Sequence, residues 1–189
     1  MPYALVDQIR MYYEIEGSGS PLVLIPGMGS SLDVWAPSFR HALSRKNRIL
    51  LLDNRGTGRS DAPDSEYSVP MMAQDLSELM DKVGIERGHI MGLSLGAMIA
   101  QELALNHPHK VASLILCSTH CGVKHYIPFP QVDDTDDRKD SSDAYEDSII
   151  RRMYPREFIE NHPDQIKDII DRETRYTPPA HIFERIYQA

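Results

Sequence analysis

Apolar and polar positions change rhythm several times along the 189-residue chain, and each change marks an element. Arg10 to Ile15 alternates, and Pro21 to Ile25 is continuously apolar. Between them lies Gly17-Ser18-Gly19-Ser20, a turn composition, so two strands joined by a loop are expected. A loop from Pro26 to Ser31 leads to a short helix over Pro37 to Ser44, with Phe39 and Leu43 on one face. Ile49 to Leu52 is apolar on both faces, the pattern of a buried parallel strand. Asp53 to Asp64 is polar and broken by Gly56, Gly58 and Pro63, which predicts a loop.

Beyond it, Ser68 and Pro70 open a helix in which Met72, Leu76, Leu79, Met80 and Val83 recur at helical spacing until Gly84 stops it. Gly88 to Leu93 reads as a strand, Leu95 to His107 as a mostly apolar helix, and Val111 to Cys117 as another apolar strand. Strand and helix in alternation predict an α/β fold, a mostly parallel sheet wound by right-handed crossovers with helices on both faces. After Gly122 the pattern holds no further strand. An acidic run from Asp133 to Asp143 precedes helical stripes at Ile166, Ile169 and Ile170 and at Ile182, Ile186 and Tyr187. The expected organisation is a core over residues 1–121 and a helical cap over 122–189. No internal repeat is evident.

Composition narrows the functions. At 41% hydrophobic content the chain can bury one sizeable core. A net charge of -8 works against nonspecific binding to nucleic acid or anionic membrane, so a small-molecule ligand is the expected partner. The residues from Met1 to Gly17 lack the apolar centre of a secretory signal, so the mature chain is expected to start there. No apolar stretch approaches the roughly 20 residues needed to span a bilayer. Only Cys117 and Cys121 are present, too few for a disulfide framework, and a cytoplasmic location is expected.

The strongest chemical signal is Gly92-Leu93-Ser94-Leu95-Gly96, a G-x-S-x-G pentapeptide where a strand gives way to a helix. A serine nucleophile needs a sharp turn that lifts Oγ clear of the backbone, and the glycines remove Cβ atoms that would collide there. The helix that follows aims its N-terminal N–H groups and positive dipole end at the reacting centre. A second signal is Pro26-Gly27-Met28-Gly29, directly after a buried strand. On its own that segment is equally consistent with a plain glycine-rich turn.

Three segments together, Ile25 to Gly29, Leu52 to Asp61 and Gly92 to Gly96, stand in the order and spacing of α/β-hydrolases. The chain resembles the branch with enol-lactonases, small methylesterases and cofactor-free haloperoxidases, over about residues 10 to 122. Pro26 stands where many members carry histidine. The resemblance implies Ser94 as nucleophile, backbone N–H groups of Met28 and Leu95 as the oxyanion hole, and Gly27 and Gly29 beside the substrate; His120, which follows the strand Val111 to Cys117 on the edge where ligand-binding loops gather, is expected to line the pocket. It implies no cofactor. It also places the acid and histidine of the triad after the cap, beyond residue 189, which leaves Val111 to Cys117 as an apolar edge open to self-association or a second chain. Asp53 and Arg55 are read as holding a loop beside the pocket.

The implied activity is hydrolysis of a small ester, lactone or related acyl compound through an acyl-enzyme. Two alternatives stand beside it. One is perhydrolase or haloperoxidase-like chemistry, and the other a ligand receptor that has kept the fold and lost turnover. Cys117, His120, Cys121 and His125 match no closed zinc spacing, and the acidic run lacks the glycine and terminal glutamate of a calcium loop, so no metal is expected.

Overall fold

The computed structural model describes residues 2–122, 150 and 153–189. Its centre is a six-stranded sheet formed by β1 (Tyr3–Val6), β2 (Ile9–Glu16), β3 (Ser20–Ile25), β4 (Asn47–Leu52), β5 (Gly88–Leu93) and β6 (Val111–Cys117), in the order β1-β2-β4-β3-β5-β6. β1 pairs with β2, and β2 with β4, antiparallel; β4, β3, β5 and β6 are mutually parallel. The sheet is therefore mixed. Three helices make the crossovers: α1 (Pro37–Ser44) from β3 to β4, α2 (Val69–Lys82) from β4 to β5, and α3 (Leu95–Asn106) from β5 to β6. Further along the chain come α4 (Arg156–Asn161), α5 (Pro163–Thr174) and α6 (Ala180–Gln188), with no strand among the described residues there. The acidic run and His125 lie outside the described residues.

Alternation along the central strands builds two cores, because successive side chains of a strand point to opposite faces. Val23, Ile25, Leu50, Leu52 and Ile90 face α2 and α3 and pack with Leu76, Leu79, Met80, Ile99 and Leu103. Leu22, Leu24, Ile49 and Leu51 face the other way, onto Leu32 and Trp35, with Leu43 of α1 against them. Ser68 caps α2 by accepting the Met71 N–H at 3.3 Å, and Gly84, at φ +69°, supplies the left-handed turn that ends it.

Two features depart from the sequence reading. β1 is a strand that the hydrophobic pattern leaves unmarked. Asp7 and Gln8, at φ +40° and +66°, form its two-residue hairpin to β2 without the Asn-Gly or Asp-Gly pair that announces such a turn. Tyr187, expected with Ile182 and Ile186 on one apolar stripe, is 70% exposed. It is offset from Ile186 by one helical residue, about 100°, which turns it out of the buried face.

Among the described residues, β6 ends the sheet with β5 as its one partner strand. Leu114, Ile115 and Leu116 are 37%, 43% and 42% exposed. No helix among the described residues is long and apolar enough to cross a membrane.

Candidate active site

The loops that carry the candidate residues all leave the carboxyl ends of parallel strands: 26–31 after β3, 53–61 after β4, Ser94 after β5 and 118–121 after β6. β3 has β4 on one side and β5 on the other. The chain thus departs in opposite directions from neighbouring strands, and this is where an open α/β sheet leaves a crevice for a ligand.

Ser94 has φ +52° and ψ −115°, a conformation that non-glycine residues rarely adopt. Such backbone strain costs of order 1–3 kcal/mol and persists only where the surroundings over-determine it. Here they do. Its N–H donates to the Cys117 carbonyl at 2.8 Å, which ties the bend to the end of β6. Its own carbonyl accepts from Ala97 and Met98, so Ser94 is the N-cap of α3. A Cβ on Gly92 would lie 2.3 Å from the Gly96 carbonyl oxygen, and one on Gly96 would lie 2.3 Å from that of Ile25. Both flanking glycines are therefore fixed by backbone approaching backbone, and no side chain can be added there without moving the strand-to-helix junction. Ser94 is half-buried, and its hydroxyl makes no capping hydrogen bond to the helix.

The loop after β3 lies alongside. A Cβ on Gly27 would sit 3.5 Å from Ser94 Cβ. Ser30 N–H donates to the Gly27 carbonyl at 3.3 Å and Gly29 has φ +71°, which closes residues 27–30 into a turn with its glycine in the left-handed position. Met28, between the two glycines, is exposed, whereas Leu95, at the first position of α3, is buried. The N–H of Leu95 is among the donors that an α-helix leaves without an internal partner, at the positive end of its dipole. An anionic oxygen beside Ser94 would find this donor on one side and the Gly27–Gly29 loop on the other.

Asp53 holds this arrangement from below. Fully buried, its carboxylate accepts from Leu32 N–H at 2.6 Å, from Arg59 N–H at 2.8 Å and from Arg59 Nη1 at 3.3 Å. Burial pushes its carboxyl above the ordinary range while these donors pull it down. Gly58 makes room for it, since a Cβ there would fall 2.1 Å from Asp53 Oδ2. Asn54 Nδ2 adds a bond to the Pro26 carbonyl at 3.3 Å, so the loop after β4 is pinned to the loop after β3 at two points. Arg55 is buried against Asp75 of α2 in a two-pronged pair, Nε to Oδ2 at 2.6 Å and Nη2 to Oδ1 at 2.7 Å. Both residues act as the loop-holding groups that the sequence pattern pointed to.

Arg59 extends the network upward. Its guanidinium pairs with Asp33 at 2.7 Å and lies between two rings, 4.7 Å from the centroid of Tyr12 and 4.0 Å from that of Tyr176, which follows α5. Sequence reasoning overlooked both Arg59 and Tyr176, because an arginine in a polar loop and a tyrosine after a helix carry no local signal of meeting.

The histidines fall at different places. His120 follows β6 on the loop-bearing edge; its Nδ1 accepts the Gly122 N–H at 3.2 Å and its carbonyl accepts from Gln101. His89, near the start of β5, has Nδ1 2.8 Å from Ser113 Oγ, and His107 Nε2 lies 3.0 Å from Gln74 Oε1, both at the opposite edge of the sheet. Among the described residues no group of three or more His, Cys, Asp or Glu is placed to hold a metal ion. A cleft lined by Asp64, Glu66, Tyr67, Arg185 and Gln188 lies beside α6, and none of the candidate site residues borders it.

Residues 20–147 match the sequence profile of the alpha/beta hydrolase fold family. The chain belongs to that family. As an α/β-hydrolase it is similar to the "Putative carbamate hydrolase RutD" of Azorhizobium caulinodans, 39% identical over 116 residues, which cover 61% of this chain and 43% of the relative. The protein of the same name in Variovorax paradoxus is 29% identical over 177 residues, 89% of this chain and 65% of the relative. The chain thus spans less than two thirds of either. Among solved structures, the enol-lactonase of Burkholderia xenovorans superposes with a TM-score of 0.79 at 28% identity, over 98% of this chain and 72% of that one. A thermophilic esterase from Thermogutta terrifontis, at 24% identity and TM-score 0.70, shares the fold.

Proposed function

We propose that this α/β-hydrolase cleaves a small ester, lactone or related acyl compound through an acyl-enzyme at Ser94. The observation that carries the reading is the strained backbone of Ser94 at the head of α3, held by glycines that tolerate no Cβ. Packing alone gives no reason to hold a serine in that conformation, whereas lifting Oγ toward a substrate does. The names of its relatives, a carbamate hydrolase and an enol-lactonase, both describe attack on a carbonyl carbon bearing a heteroatom.

In this reading Ser94 Oγ adds to the carbonyl carbon, and its proton passes to a general base. The negative oxygen that forms is received by the N–H groups of Leu95 and Met28. Collapse of the tetrahedral species expels the alkoxide or amine, which takes up that proton, and water then releases the acyl group by the same steps in reverse. Gly27 and Gly29 let the loop approach the acyl carbon, and His120 borders the substrate. The histidine base and its orienting acid are assigned to polypeptide matching the part of the relatives that this chain does not span. Residues 1–121 form the catalytic core in this proposal and 122–189 its cap, in a cytoplasmic protein whose partner is a small molecule.

The experiment is intact mass spectrometry before and after a fluorophosphonate probe. In the chain extended over the part of the relatives that this one does not span, one adduct on the parent and none on Ser94→Ala is the expected result, whereas residues 1–189 alone, without the base, are expected to stay unlabelled. Tight ligand binding that Ser94→Ala leaves unchanged, with no adduct on the parent, would move the protein to the receptor reading. Turnover that rises only with added hydrogen peroxide would move it to perhydrolase chemistry.

A further inference from the structure

From the placement of α6 against the Gly27–Ser30 turn, we propose that Phe183 is the specificity-determining wall of the acyl pocket, admitting short acyl groups and excluding bulky ones, aromatic ones included; this rests on Ser94 being the acylated residue. The ring of Phe183 occupies the space that a side chain at residue 29 would need. Its Cε2, Cδ2 and Cζ lie 2.7, 3.1 and 3.9 Å from the position of a Gly29 Cβ. At the other end of the same turn, the missing Cβ of Gly27 lies 3.5 Å from Ser94 Cβ. The turn therefore has the serine beside its first residue, Gly27, and the phenyl ring beside its third, Gly29. An acyl group on Ser94 whose oxygen points at the Met28 and Leu95 amides extends across that turn and meets the ring.

The ring is held in place from both sides. Ile182, the preceding residue, is buried and its Cγ2 lies 3.1 Å from where a Gly56 Cβ would be. Ile186, one helical turn on, is buried in the same core. Arg185 pairs with Asp64 and donates to the Ser65 carbonyl at 3.0 Å. Phe183 itself is half-buried, with its ring edge on the Gly29 loop. The backbone that carries the ring is thus fixed on Gly56 and on the loop 64–65. Rigid apolar walls discriminate by size.

The test reads access to position 94 without requiring catalysis. In the full chain carrying Ser94→Cys, the rates of modification by methyl and by benzyl methanethiosulfonate are measured, with peptide mass mapping to separate position 94 from Cys117 and Cys121. Phe183→Ala is expected to raise the benzyl-to-methyl rate ratio at position 94 about tenfold, and Phe183→Trp to lower it. Phe183→Leu falls between parent and Ala, and together with Trp it carries the test if the Ala variant does not fold by circular dichroism. Ratios within about twofold of the parent for the folded variants would overturn the proposal. The two readings separate cleanly. Failure of fluorophosphonate to label a parent extended over the rest of the relatives' length would remove Ser94 as the nucleophile, while the thiol ratios still report whether Phe183 bounds the space above it.

Discussion

Replacing Ser94 by glycine and by alanine separates the cost of its backbone from the use of its hydroxyl. Both substitutions delete Oγ, and that oxygen makes no capping bond whose loss would cloud the comparison. They differ in Cβ. At φ +52° and ψ −115° a residue with Cβ carries strain of order 1–3 kcal/mol, which alanine retains and glycine sheds. Against this, glycine adds about 0.5–1 kcal/mol of unfolded-chain entropy and gives up part of a methylene's burial, about 0.4 kcal/mol for a half-buried carbon. The balance is a glycine variant more stable than the alanine variant by about 1 kcal/mol, or about 2–4 °C in Tm for a chain of this size. Urea denaturation and calorimetry of the parent and both variants read this directly, and fluorophosphonate labelling of the extended chain is expected to vanish in both. A glycine variant no more stable than the alanine variant would refute the claim that strain is stored at this residue, whatever its chemistry.

Asp75→Asn keeps the shape of the carboxylate but leaves the buried Arg55 guanidinium with only the exposed Asp7 carboxylate, at 3.5 Å, as countercharge, and a loss of about 3 kcal/mol in urea unfolding is expected; the double variant Arg55→Met with Asp75→Leu should recover much of it, and no recovery would count against the pair as the cause. Asp61 accepts from the backbone and guanidinium of Arg10, which hold its carboxyl below the ordinary range. Its contribution to stability is therefore complete above the unfolded carboxylate range and fades as pH falls through the lower folded value, so Asp61→Asn should flatten the acid limb of a stability-versus-pH curve; an unchanged limb would contradict it. The apolar edge of β6 should drive concentration-dependent association in sedimentation velocity, weakened by Ile115→Lys. A single monomeric species at all concentrations would refute that.

What the sequence disclosed follows from the range of each interaction. The parallel strands and α2 were legible because burial imposes a period on the residues themselves, as in Ile49 to Leu52 or Met72 to Met80. The G-x-S-x-G junction was legible because two backbones in contact admit glycine alone at residues 92 and 96. Asp53 was legible as a loop-holding acid, but not as a carboxylate lying under Gly58 and reaching Leu32 N–H, since the first contact depends on how the loop after β4 folds back on itself and the second joins it to a segment 21 residues away. Phe183 and Tyr176 were opaque for the same reason. Each is an ordinary aromatic in or after a helix until the fold lays it on a glycine or an arginine of the core.

Arg59 ties the motions of two parts of the molecule to one another. The guanidinium shares its charge between Asp33 and Asp53 and its faces between Tyr12 of the sheet and Tyr176 beyond α5. Any displacement of Tyr176 strips one ring from a cation that also neutralises a fully buried carboxylate, so the loop after β4 feels the position of the cap through electrostatics as well as through contact. By thermodynamic reciprocity, whatever tightens the Asp53 loop draws the Tyr176 segment inward by the same free energy.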